Sequence, residues 1–400
     1  MGAAIPGSVP GYRRVAAATG WALGVGACLA ILVAAAGRPH EAYFDAQVQL
    51  GGARDILAGA NPYGAYYQSP LWSAFVLVPF AALREGWSYV AWFWANVLSW
   101  AAAVLLLAKV AGIPGGLPAR ILTAGLLMVY PPAVWSMHGQ LDGFMALGLA
   151  GSLALSPSKP FAAGLTLTAL AVKPHLALFP LALLLLSAMR DGRWAVVLGL
   201  LTGSLVIAVL SLAAQPAWPL QWLNVLAHPP VDMVLGRAKF AQTMAAFTGL
   251  WTPGWLAGAL GWTVAVTTAL AAAKWVWTRP RTPADVAALG AAGLFLVTPY
   301  AQGYDLSLLL LPLAITAGRA LQITGLPRAA LLAGVVFVSL FAMTTAYLEW
   351  PQPVLVLSSP ITLVLWWLSR RWGPKSNVQS PKPPPQPFRD VPSPSGRGLG

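Results

Sequence analysis

The stretch 41-EAYFDAQVQLGGARDILAGANPYGAYYQSP-70 decides the fold. It is polar and acidic between two apolar runs, in a chain that is otherwise mostly hydrocarbon. Asp45 lies just past the end of the first apolar run. A carboxylate beside a bilayer is costly unless it faces water, a partner or a substrate, so Asp45 is a functional candidate. The rest of the chain then reads as a membrane scaffold that holds this loop against a substrate carried in the lipid.

Composition agrees. The chain has 400 residues, 58% hydrophobic and 9% charged, with a mean hydropathy of +0.68. That balance belongs to all-α polytopic membrane proteins. One integral domain is expected over residues 1–372, followed by a disordered, Pro-rich cytoplasmic tail over 373–400 that cannot bury a core. The formal charge is +13, but Lys and Arg are scattered singly between apolar runs, which excludes a basic nucleic-acid-binding face. Cys28 is the sole cysteine, so disulfides within the chain and cysteine-ligated metal sites are excluded. The amino-terminal apolar run lacks a cleavage site and reads as an anchor.

A hydrocarbon core of roughly 30 Å needs about 20 apolar residues per helix. That ruler places spans near 15–36, 87–108, 118–136, 139–156, 160–173, 175–189, 193–214, 253–277, 284–299, 304–319, 328–347 and 352–369. The run Leu71–Leu83 is short, contains Pro79, and reads as a partly inserted helix covered by protein. With Arg13-Arg14 cytoplasmic, this count puts every strongly basic short loop on one face, as positive-inside topology requires. Both termini are then cytoplasmic. The opposite face collects Glu41, Asp45, Asp55, Glu85, Asp142, Asp232, Asp305 and Glu349, so the chemistry is expected there.

Several motifs on that outer face carry polar chemistry. Asp45 reads as a general base that takes the proton of an attacking hydroxyl, or as a helix cap or ion-pair partner of Arg38 or Arg54. Asn61-Pro62-Tyr63 and Tyr66-Tyr67-Gln68-Ser69-Pro70 combine turn residues with aromatics that suit sugar stacking or the headgroup zone. In His138-Gly139-Gln140-Leu141-Asp142, Gln140 and Asp142 can bond hydroxyls or orient a base, with a capping role the rival for Asp142. Lys173-Pro174-His175 puts two basic groups at a proline break, where they neutralise a lipid phosphate or Lys173 merely snorkels. His228, Arg237 and Lys239 suit a phosphate donor or anionic headgroups. In Thr298-Pro299-Tyr300-Ala301-Gln302-Gly303-Tyr304-Asp305, Asp305 reads as an N-cap, an acidic site residue, or both. No phosphate-binding loop, serine elbow or zinc-protease histidine pair is present.

In order along the chain, the aspartate after the first span, Asn61-Pro62-Tyr63, Ser69-Pro70-Leu71, Trp92 to Asn96, Gly139-Gln140, Lys173-Pro174 and Thr298-Pro299 form a set that resembles glycosyltransferase family 87. The resemblance covers most of residues 15–370. It implies a GT-C-like bundle of about 12 transmembrane helices, with outer-face loops forming the active site. It implies inverting transfer of a hexose, mannose above all, from a polyprenyl-phosphate donor to a glycolipid or glycan hydroxyl at the plasma membrane, without cofactor or metal. Asp45 matches the position of the family's base. Candidate substrate-binding residues are Asn61, Tyr63, Gln140, Asp142, Lys173, His175, His228, Arg237 and Asp305. The sequence departs from relatives at Ser69-Pro70, where two prolines are common, and at Tyr300 to Asp305, where relatives tend to place histidine. Lys173, His175, His228 or Arg237 then substitute at the donor phosphate. A competing class is a transporter or flippase for a lipid-linked substrate. That class predicts mid-span charges and internal symmetry, whereas here the charges gather at span ends. A lipid-binding assembly subunit, the third class, would make Asp45 structural.

Overall fold

A computed structural model describes residues 44–63, 67–113, 139–228, 243–347 and 352–373. The expected spans 15–36 and 118–136, together with Arg237, Lys239 and the tail beyond 373, lie outside the described residues. Among the described residues all regular structure is helical, without a strand. In order they are α1 Phe44–Leu57, α2 Leu71–Phe75, α3 Val78–Ala81, α4 Glu85–Val110, α5 Asp142–Leu155, α6 Pro160–Leu167, α7 Pro174–Arg190 and α8 Trp194–Ala214. Then follow α9 Trp218–Ala227, α10 Met244–Thr248, α11 Gly254–Thr278, α12 Pro283–Val297, α13 Leu310–Ala320, α14 Leu326–Tyr347 and α15 Ser358–Trp372. Short 3₁₀ segments at Thr168–Val172, Gly303–Leu309 and Gln352–Leu357 precede α7, α13 and α15.

Among the described helices, α4, α8 and α11 are long and apolar enough to cross a membrane. The expectation of about 12 crossing helices is therefore met only in part. Several of the other apolar runs are divided into shorter pieces. Proline removes a backbone donor and pushes the residue before it out of the helical region, so 160–173 ends in a 3₁₀ turn before Pro174. Leu71–Ala81 likewise forms two short helices that together cannot span.

Small residues let the helices approach closely. A Cβ on Gly164 would collide with the backbone of Val196, and one on Gly199 with the backbone of Phe161, so α6 and α8 meet backbone to backbone. That is the usual way helices associate where lipid supplies no hydrophobic drive. Pro180 inside α7 sits against Gly290 of α12, where a Cβ would come within 2.8 Å of the proline Cα. Further packing joins α4 to α5, α5 to α6, α7 to α11 and α12, and α15 to α12, α13 and α14.

Basic side chains collect at one end of the bundle. Arg190 at the end of α7 donates to the carbonyls of Val276, in the last turn of α11, and of Arg279, just after it. Asp285, in the first turn of α12, pairs with Arg319 of α13 at 2.6 Å and Arg370 of α15 at 3.3 Å. Arg281 and Arg370 both lie over the Trp275 ring, 4.0 and 4.7 Å from its centroid, within cation–π range. The ends of α4 and α5 reach the same level, where Gln322 meets the Ala111 carbonyl and Arg193 meets Ser156. Three of these helices have their other ends beside a polar cavity: α7 begins at Pro174, α12 ends shortly before Tyr300, and α13 follows Tyr304 and Asp305.

Candidate active site

The cavity encloses about 460 Å³ at the end of the bundle opposite the arginines. Each wall follows from local chemistry. Asp45 lies in the first turn of α1, where the helix dipole favours a carboxylate. Val48 and Gln49, one turn further along, face the same space. Asp45 Oδ2 accepts a hydrogen bond of 2.5 Å from Gln140 Nε2. That pairing depends on Gly139. Its φ is +151°, and a Cβ there would lie 2.5 Å from the Ala46 nitrogen, so only glycine lets the 139–141 turn press against the start of α1.

Lys173 precedes Pro174 and adopts φ −130°, ψ 82°, an extended conformation that a following proline imposes. The break frees the carbonyls of Ala171 and Val172. These accept Trp72 Nε1 and Ser73 Oγ, each at 2.8 Å, which docks α2 beneath the cavity. The Lys173 ammonium turns inward. It binds Asp142 Oδ1 and Oδ2 at 2.9 and 3.1 Å and Asp305 Oδ1 at 2.7 Å, and lies 4.7 Å from the Tyr304 ring centroid. Lys173, Asp142 and Asp305 are all buried, so the ammonium is committed to two carboxylates and does not snorkel. Asp142 caps nothing. Asp305 is not the N-cap of its turn: Gln302 takes that place and Asp305 stands at the third position after it, facing the cavity. The Asp305 carboxylate accepts from the Gln302 backbone N–H at 2.7 Å in a reciprocal capping box.

The remaining walls come from 68–70, His175, Tyr300 and α9. Gln49 Nε2 donates to Ser69 Oγ at 3.1 Å, and the Tyr67 hydroxyl donates to the Pro70 carbonyl at 3.2 Å, which folds the 67–70 turn back onto α1. Trp222 of α9 donates to the Gln68 carbonyl at 2.8 Å. The His175 and Tyr300 rings lie 5.6 Å apart, and Thr298 Oγ1 donates to the His175 carbonyl at 3.3 Å. Burial pushes the Asp45 carboxyl up from its ordinary range, against the Gln140 hydrogen bond and the Lys173 charge, which lower it.

Of the residues proposed from sequence, Asp45, Gln140, Lys173, His175 and Asp305 line this cavity, and Asp142 stands directly behind Lys173. Asn61 does not reach it. Its side chain accepts from the Tyr63 backbone N–H at 3.0 Å in a local turn. Tyr63 is buried beside Tyr67, with ring centroids 5.7 Å apart. His228 is exposed at the end of α9, its Nδ1 near the Asn224 carbonyl at 3.1 Å. Gln49, Gln68, Ser69, Trp222, Gln302 and Tyr304 also line the cavity. The i, i+4 spacing of Gln49 from Asp45 was a signal available in the sequence.

The family model of glycosyltransferase family 87 matches residues 67–299. The matched span includes Gln140, Lys173 and His175, while Asp45 and Asp305 flank it. No curated protein and no solved structure matches the chain. With more than half of its length matched, and with apolar helices that can cross a membrane, the chain belongs to glycosyltransferase family 87 and is a membrane glycosyltransferase.

Proposed function

We propose that the chain transfers a hexose, mannose on the family resemblance, from a polyprenyl-phosphate carrier to an acceptor hydroxyl at the extracytoplasmic face of the plasma membrane. The observation that carries this reading is the position of Asp45: a half-buried carboxylate held by Gln140 in the cavity wall, with its pKa raised by burial. Asp45 takes the acceptor proton as the acceptor oxygen attacks the anomeric carbon. The bond from that carbon to the phosphate oxygen breaks, its electron pair leaves with polyprenyl phosphate, and the configuration inverts. Lys173 is a fixed positive charge between Asp142 and Asp305. It eases ionisation of Asp45 and does not grip the donor. Contact with the departing phosphate passes to His175, across the same cavity.

Arginines concentrated at the opposite end of the bundle support an extracytoplasmic cavity, since basic residues mark the cytoplasmic side. The fuller architecture belongs to the same proposal: a single GT-C-like domain over 1–372 with about 12 spans, both termini cytoplasmic, and a disordered tail. The test is transfer by reconstituted protein offered radiolabelled polyprenyl-phosphate mannose, other polyprenyl-phosphate hexoses or nucleotide sugars, with the product's anomeric configuration read by NMR. Transfer from the lipid-linked donor alone, with inversion, is expected. Transfer from a nucleotide sugar, or retention of configuration, would overturn the reading.

A further inference from the structure

Helix α9 has three distinct sides. Trp218 and Trp222 point inward, where the Trp218 ring packs 5.0 Å and the Trp222 ring 6.3 Å from that of Trp72. Gln221 faces the loop side, where its Oε1 accepts from Gln215 Nε2 at 2.8 Å, and Gln215 reaches Asn61 at 3.4 Å. The third side carries Leu220 and Leu223, which are 75% and 56% exposed. The helix contains no charged residue.

Its depth is fixed by what precedes it. Helix α8 runs from the arginine end to the cavity end, exposing Leu198, Leu201, Leu205 and Val209 along its length. Leu212 continues that row, and only residues 215–217 separate Ala214 from the start of α9 at Trp218. A helix joined so closely to the end of a membrane-crossing one lies at the boundary between headgroups and acyl chains. Leu220 and Leu223 thus extend an apolar surface that is already lipid-facing. Trp251 and Trp255, exposed at the start of α11, mark an aromatic belt of the kind found at that boundary.

We infer that α9 is an interfacial helix whose Leu220–Leu223 side is embedded in the lipid leaflet on the cavity side. Trp222 and Leu226 of the same helix line the cavity, so among the described residues α9 alone separates that side of the cavity from its exposed Leu220–Leu223 face. Resting on the proposed function, the consequence is that the lipid-linked substrate enters the cavity from the leaflet on the α9 side. Apolar area together with a polar opposite edge is what holds such a helix in the interface.

The test separates the lipid contact from the catalytic reading. In a Cys28→Ser background, Leu220→Cys and Leu223→Cys are spin-labelled in liposomes, with Leu205→Cys as the lipid reference and exposed Ala60→Cys as the loop reference. Labels at 220 and 223 should be relaxed by oxygen, as at 205, and spared by a water-soluble nickel chelate. Relaxation chiefly by nickel would overturn the inference. So would protection from both reagents, which would place a protein partner or a second copy on this side. The loading role is read separately. The Leu220→Glu/Leu223→Glu variant should raise KM for a long-chain polyprenyl-phosphate donor by about tenfold, with kcat and KM for a short-chain, water-soluble analogue unchanged. Equal losses with both donors would remove the loading role, and failure of both donors in the parent protein would instead refute the proposed reaction.

Discussion

Replacing Lys173 with methionine separates a structural ammonium from a substrate ligand. Lys173 Nζ lies 2.9 Å from Asp142 and 2.7 Å from Asp305, whose side chains are 0% and 2% exposed. Methionine fills a similar volume but leaves both carboxylates buried without a counter-charge. Breaking a buried pair in this way costs about 3–5 kcal/mol, because the surviving charge loses its partner. In a thermal unfolding assay in detergent this corresponds to a fall in apparent Tm on the order of 10 °C. The loss is specific to the stranded charges. The triple variant Lys173→Met/Asp142→Asn/Asp305→Asn should therefore recover roughly half of it or more, retaining only the cost of imperfectly bonded amides. A Lys173→Met protein with unchanged Tm and only a raised donor KM would refute the reasoning and return the lysine to the phosphate.

The raised Asp45 pKa gives a signed pH dependence: kcat/KM should fall as pH drops through it. Gln140→Leu removes a bond that favours the charged form, so the acid limb should move to higher pH; a downward or absent shift in the pH–rate profile would contradict the Asp45–Gln140 pairing. The folded state holds the Asp45 proton to higher pH than the unfolded chain does. The stability this contributes is complete below the ordinary carboxylate pKa and is lost as pH rises through the folded value. Asp45→Asn, neutral throughout, should consequently unfold at a slightly higher temperature than the parent at neutral pH, as differential scanning fluorimetry can check. Gly139→Ala forces an alanine to φ +151° against Ala46. It should cost about 1–3 kcal/mol in strain and lower kcat on the order of 100-fold by displacing Gln140; unchanged kinetics would show that the turn does not position the base.

Helix positions were legible because apolar runs and prolines are local signals: the runs read at 193–214 and 253–277 became Trp194–Ala214 and Gly254–Thr278. The acidic outer turns were legible as a group, since charge at span ends has few explanations in a bilayer. What each charge touches was not legible. Lys173, Asp142 and Asp305 are separated by more than a hundred residues of chain between the first and last, and nothing local shows that one ammonium bridges both carboxylates. Asn61 and His228 read as substrate-binding candidates in sequence, yet one closes its own turn and the other follows the end of α9, exposed. Gln302 and Tyr304 were passed over because, uncharged, they carry no cost of burial that the sequence makes visible.

The central claim is tested most directly by turnover of Asp45→Asn in liposomes supplied with polyprenyl-phosphate mannose and acceptor, next to the parent protein at equal membrane density. Asparagine preserves shape and can still accept the Gln140 hydrogen bond, but it cannot take a proton. The account predicts a folded, inserted variant whose transfer rate has fallen by about 100- to 10,000-fold. Transfer at the parent rate would contradict it.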